Sequence, residues 1–146
     1  MRVVVQRVSR AKVTVSGRIV GEIEQGLLVL LGIAKDDQIS DADYLVEKLI
    51  NLRIFDDGEG KMNLSLTDID GEMLVVSQFT LYADTRRGRR PSFIEAARGE
   101  DAVEIYRHFV EKSQAVIRKV ATGEFGAMMD VELVNDGPVT IVIDSE

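Results

Sequence analysis

GLLVLLGI, residues 26–33, is a continuous apolar run opened by a glycine, and its length suits a β-strand buried on both faces. A strand of that kind needs partners on either side. Upstream, residues 2–9 are rich in valine, and Val13 and Val15 alternate with polar neighbours. Ser16-Gly17 is a turn signal, which makes residues 11–15 and 18–24 a hairpin. Downstream, Ser40 with Asp43 three residues later has the form of a capping box. Leu45, Leu49 and Leu52 then fall at helical spacing and predict a helix over 41–52. DDGEGKMN (56–63) reads as a polar, glycine-rich loop and Asp68 to Gly71 as a turn. MLVVSQFTLYA (73–83) is strongly β-prone.

In residues 101–120, Val103, Tyr106, Val110, Ile117 and Val120 form one apolar stripe, with Gly123 as a stop signal, so this is the clearest helix. Two short strands close the chain, 130–134 and 139–143, joined by NDGP as a turn. Strands outnumber helices and hairpins dominate. The predicted fold is therefore α+β: a single domain over residues 1–146, with a mostly antiparallel or mixed, barrel-like sheet and two main helices.

Composition narrows the function. Of 146 residues, 45% are apolar and two are proline, so one ordered core is expected, with no linker or repeat. The absence of cysteine excludes disulfides, thiolate metal sites and a cysteine nucleophile. The apolar stretch in MRVVVQRVSR is too short and too charged for a signal peptide, and no segment approaches a membrane span. A soluble cytoplasmic protein with no membrane partner is expected. The net charge is −7, whereas general nucleic-acid binders are basic, because phosphate contacts supply most of their affinity. No DNA partner is expected, and any RNA contact must be local. Arg86, Arg87, Arg89 and Arg90 around Gly88 are the candidate patch; the same run also reads as a solvated loop.

The usual catalytic groups are missing. His108 is the only histidine, and on the 101–120 helix it lies opposite the apolar stripe, facing water with nothing local to orient it. That argues against a serine–histidine triad and a histidine metal site. Asp56, Asp57, Glu59, Asp68 and Asp70 lack EF-hand spacing and fit turns. GEGK (58–61) lacks P-loop spacing, and no dinucleotide glycine pattern occurs. Neither metal nor cofactor is expected. Ser77-Gln78-Phe79-Thr80 interrupts an apolar strand with three polar side chains, which also reads as an exposed strand face. Gly137-Pro138 is one of two places where a cis peptide is plausible. The residues alone lead to a pocket without an acid–base pair.

Four segments, SQFTLYA (77–83), RRGRRPSF (86–93), GEFGAMM (123–129) and NDGPVT (135–140), resemble the D-aminoacyl-tRNA (D-tyrosyl-tRNA) deacylase family. DDGEGKMNLS (56–65) and the opening MRVVVQRV are similar to it as well, so the likeness spans the chain. It implies an enzyme that hydrolyses the ester of D-aminoacyl-tRNA, acting as a homodimer with pockets near the subunit interface. It implies that Ser77, Gln78, Phe79 and Thr80 line the catalytic site, and that Phe125, Gly126, Ala127 and Met128 hold the terminal adenosine. It further implies that Gly137-Pro138 is cis and enters the partner's pocket as a chirality filter. Backbone N–H groups near Phe79 and Thr80 would stabilise the oxyanion and the ribose 2′-hydroxyl would help activate water; Thr80 as nucleophile is the rival mechanism. A steric filter of this kind admits glycine, so glycyl-tRNA cleavage is expected. A non-catalytic tRNA-binding module and a plain dimerisation domain are the alternatives.

Overall fold

The computed structural model describes residues 1–145, in the element order β1 (Arg2–Val15), β2 (Arg18–Ile23), β3 (Gly26–Gly32), α1 (Ile39–Asn51), β4 (Phe55–Asp56), β5 (Met62–Leu64), β6 (Glu72–Ser77), a 3-10 turn (Phe79–Tyr82), α2 (Gly99–Gln114), β7 (Val120–Thr122) and β8 (Asp130–Asp144). One mixed sheet runs β2-β1-β3-β6-β7, with β8 on the other edge of β1. β1 pairs antiparallel with β2, β3 and β8, whereas β3–β6 and β6–β7 are parallel.

The central apolar run behaves as its composition demands. Leu27, Val29 and Leu31 pack under the helices with Val3, Val5, Met73 and Val75, while Leu28 joins Val8, Val13, Leu74 and Val76 on the opposite face. Burying each such side chain stabilises the fold by about 1.5–3 kcal/mol. The sheet curls until β2 approaches β7, and a Cβ on Gly21 would overlap the carbonyl oxygen of Thr122. Only glycine lets the two backbones come that near. The result is the expected α+β domain, a nearly closed barrel with two helices on one side.

Several local expectations differ. NDGP is not a hairpin turn: β8 is one strand, and both its halves pair with β1. The strand expected over 73–83 stops at Ser77, because its partner β3 ends and the Gln78 N–H already reaches Leu31 O at 2.7 Å. Phe79–Tyr82 then coils into the 3-10 turn. Helix α2 ends at Gln114, where Ser113 Oγ donates back to Phe109 O; such back-bonding competes with the helix ladder. Val120 goes to β7 instead, and the buried stripe of α2 is Ala102, Ile105, Tyr106 and Phe109. Of residues 56–63, read as loop, 57–61 are indeed the turn, and it joins the strands of a small β4–β5 hairpin that already includes Asp56, Met62 and Asn63.

Helix α1 begins earlier than expected, with Gln38 N–H donating to Asp41 at 2.7 Å. Asp43 is therefore no capping residue. Its carboxylate meets His108 Nε2 at 2.7 Å and Lys112 Nζ at 3.0 Å on α2. His108 thus has an orienting partner after all, contributed by a segment distant in sequence.

Candidate functional site

β6 delivers Ser77 to the end of the sheet, and Gln78 leaves the strand with φ −143° and ψ 77°. The chain then turns over β3, so residues 77–80 form one wall of a cleft of about 440 Å³. Residues 125–129 form another part of its wall, and the buried Leu31, Ile33 and Val76 line its base. Two of the sequence-predicted groups, Ser77–Thr80 and Phe125–Met128, are therefore brought together although they lie far apart in the chain. Phe79, 56% exposed, is steadied by an edge contact to Phe93 at 5.1 Å. Phe125, 40% exposed, makes a similar contact to Tyr106 at 5.3 Å.

No residue lining the cleft carries an ionisable side chain. The tyrosines of the surrounding elements offer no base either. Tyr106 is pushed up to about 12 by burial, and Tyr82 to about 12 by burial and then by Asp37. His108 lies outside the cleft on its Asp43 contact. The Gln78 amide donates to Thr80 Oγ1. Among the described residues, the Phe79 and Thr80 N–H groups donate to no protein acceptor, as befits the first turn of a helix. No group of three or more histidine or carboxylate side chains is gathered as metal ligands among the described residues.

Gly137-Pro138 lies elsewhere. Between the pairs Gln6–Thr140 and Val8–Asn135, β1 contributes Arg7 alone while β8 contributes Asp136 to Val139. The surplus is extruded as a large bulge. At its tip Gly137 has φ +132° and the Gly137–Pro138 bond is cis. Both residues are exposed and neither lines the cleft of their own chain.

Two residues that sequence reasoning passed over hold this bulge. Arg7 is buried, donating from Nε to Asp136 O at 3.0 Å and from Nη1 to Ile54 O at 2.7 Å, with Asp56 and Asp136 carboxylates at 3.4 and 3.5 Å. Asn135 Oδ1 accepts from Val139 N–H at 3.1 Å, and its amide donates to Thr140 Oγ1 at 2.9 Å. The available signal was Arg7 itself, a charge inside an otherwise valine-rich strand.

The arginine loop is closed at its base by reciprocal Asp84–Ser92 backbone bonds of 2.8 and 2.9 Å. It leaves the 3-10 turn and returns to Phe93, so it stands beside the 77–80 wall. The four arginines are not equivalent. Arg86 grips Asp84 at 2.6 Å and holds that carboxyl far below the usual range. Arg87, Arg89 and Arg90 are exposed and form no ion pair among the described residues.

Comparison with known proteins adds the last observations. A model of the D-Tyr-tRNA(Tyr) deacylase family matches residues 4–144. The D-aminoacyl-tRNA deacylase of Thermosipho melanesiensis is 61% identical, covering 100% of this chain and 98% of its own. That of Dehalococcoides mccartyi is 63% identical, covering 99% of this chain and 95% of its own. Among solved structures, one titled c-Myc DNA Unwinding Element Binding Protein superposes with TM-score 0.94 at 42% identity, covering 100% of this chain and 99% of that one. A probable eukaryotic D-amino acid tRNA deacylase superposes with TM-score 0.85 at 18% identity, covering 98% of each, and shows the shared fold alone.

Proposed function

The chain belongs to the D-Tyr-tRNA(Tyr) deacylase family, and from that premise we propose that it hydrolyses the ester joining a D-amino acid to the terminal adenosine of tRNA. The observation that carries this reading is the cleft itself: Ser77–Thr80, three of them polar, share one cleft with Phe125–Met128, and no ionisable side chain lines it. An aminoacyl ester is already activated and needs neither a metal nor a strong nucleophile. It needs positioning, an oxyanion site and a water.

The Phe79 and Thr80 N–H groups, which have no protein acceptor among the described residues, serve as the oxyanion donors, each typically worth about 2.7–4 kcal/mol. The ribose 2′-hydroxyl of the substrate helps activate water, so the RNA supplies the base that the cleft lacks. Thr80 as nucleophile ranks second, since no histidine or lysine lines the cleft to activate it. Residues 125–128 take the adenosine. Arg87, Arg89 and Arg90 meet acceptor-stem phosphates, and Arg86 contributes less because Asp84 already neutralises it.

Chirality is read by a second copy of the chain. Gly137-Pro138 protrudes from its own barrel and misses its own cleft, so in a homodimer it enters the partner's. Its carbonyls accept from the substrate ammonium while its backbone fills the space an L side chain requires. A D side chain points outward and needs no pocket, so the filter tolerates many D residues. It cannot exclude glycine, and glycyl-tRNA is also cleaved. No helix among the described residues is long and apolar enough to cross a membrane, and the substrate places the enzyme in the cytoplasm.

Release of amino acid from D-Tyr-tRNA and L-Tyr-tRNA tests the activity: rapid D and negligible L hydrolysis is expected, and no hydrolysis of either would leave only a tRNA-binding module. For the mechanism, D-Tyr-tRNA ending in 2′-deoxyadenosine and charged on the 3′-oxygen should be cut much more slowly, while Thr80→Ala keeps substantial activity. Trapping an aminoacyl-Thr80 species would reverse that assignment.

A further inference from the structure

We infer that Tyr106, on α2, is a positioning residue that fixes the adenosine wall of the cleft by acting through Phe125. The inference rests on the reading that residues 125–128 take the adenosine. Tyr106 is buried and does not itself line the cleft; one helical turn earlier, Ala102 does. Its ring meets the ring of Phe125 edge-on, with centroids 5.3 Å apart and planes at 60°. Phe125 sits on a short turn closed by Ala127 N–H to Glu124 O at 3.1 Å, with Met128 beside it 91% exposed. That turn has little packing of its own, so the Tyr106 edge contact holds a ring that would otherwise have many orientations.

Burial between α2 and the sheet aims the Tyr106 ring, and its hydroxyl finds an acceptor there. The hydroxyl donates to Val75 O at 3.3 Å, and the same carbonyl accepts from Gly123 N–H at 3.0 Å, the first residue of the GEFGAMM segment. Tyr106 and the start of the adenosine wall are thus referenced to one oxygen on β6, the strand that ends in Ser77. This arrangement couples the two walls of the cleft through a residue that touches neither substrate nor reacting atoms. It accounts for a large aromatic on the buried face of α2, where an aliphatic would fill the space without fixing Phe125.

The test is steady-state kinetics on D-Tyr-tRNA with Tyr106→Phe, Tyr106→Leu and Phe125→Ala. Tyr106→Phe keeps the ring, and Gly123 still satisfies Val75 O, so KM should stay within about twofold. Tyr106→Leu should raise KM about three- to tenfold, the span set by one aromatic pair, with kcat little changed. Combining Tyr106→Leu with Phe125→Ala should add nothing to the KM of Phe125→Ala, because the first acts only through the second. If Tyr106→Leu melts below assay temperature, Tyr106→Ile is assayed in its place with the same expectation. A raised KM for Phe125→Ala with wild-type KM for Tyr106→Leu, or additive effects in the double variant, would overturn the inference. A wild-type KM for Phe125→Ala would instead overturn the adenosine reading beneath it.

Discussion

Replacing Gly137 with alanine places a methyl group where the β8 bulge has no room for it. The new Cβ would lie 2.8 Å from Val139 Cγ2, 3.0 Å from Val139 N and 3.2 Å from Arg7 Nη2. Val139 is packed against the core, and Arg7 is tied to Ile54 and Asp136, so neither neighbour withdraws freely. The backbone is a second obstacle, since φ +132° is a region that L side chains rarely enter. Holding such a residue costs about 1–3 kcal/mol, and that strain has two outlets. If the bulge keeps its shape, Tm falls by about 2–4 °C per kcal/mol for a domain of this size. If the bulge relaxes, stability is spared but the productive conformation loses population, and kcat/KM for D-Tyr-tRNA falls about 5- to 150-fold. Thermal unfolding and D-Tyr-tRNA hydrolysis, run together, therefore read one energy through two channels. Gly17→Ala is the control: its φ is +79° but nothing lies within 4 Å of the added Cβ, so it should lower Tm and leave the rate alone. A Gly137→Ala protein with wild-type Tm, rate and L/D discrimination would refute the claim that this bulge geometry is required.

Arg7→Met strips donors from the Ile54 and Asp136 carbonyls, and the buried Ile54 acceptor costs about 1–3 kcal/mol when left unpaired, while water can reach the exposed Asp136; a lower denaturation midpoint and slower D-Tyr-tRNA cleavage are expected, and unchanged values of both would show that the bulge stands without its clamp. Alanine at Arg87, Arg89 or Arg90 should each flatten the dependence of log KM on log salt by up to about 0.9 without moving kcat, and Arg86→Ala should do less; equal slopes throughout would return the loop to ordinary solvated surface. Asp43 is held below the usual carboxylate range by its hydrogen bond to His108 and then by Lys112. Its folded pKa is depressed, so its contribution to stability is complete above about pH 4 and is lost as pH falls through the depressed value. Asp43→Asn should therefore unfold with a shallower acid dependence, and identical acid profiles would show that the clasp between α1 and α2 adds nothing.

Read by itself, the sequence determined whatever depends on which faces of a segment are apolar. GLLVLLGI had to be covered on both sides, Leu45 and Leu49 had to lie on the buried stripe of α1, and Ser16-Gly17 had to reverse the chain between β1 and β2. The family likeness of its motifs then pointed to the segments 77–80 and 125–128 that line one cleft. What periodicity could not give was the identity of partners. Only the tertiary structure decided that NDGP is a bulge in a strand paired to β1 throughout, that FTLY coils where β3 runs out, and that Val120 leaves its helix for the sheet edge. The same holds for Arg7 meeting Asp136 and for Asp43 meeting His108. Local pattern fixes whether a residue is buried, because burial answers to hydrophobicity along a few turns or strand positions. A hydrogen bond between groups scores of residues apart answers to register and chain closure, and those exist only once the barrel has formed.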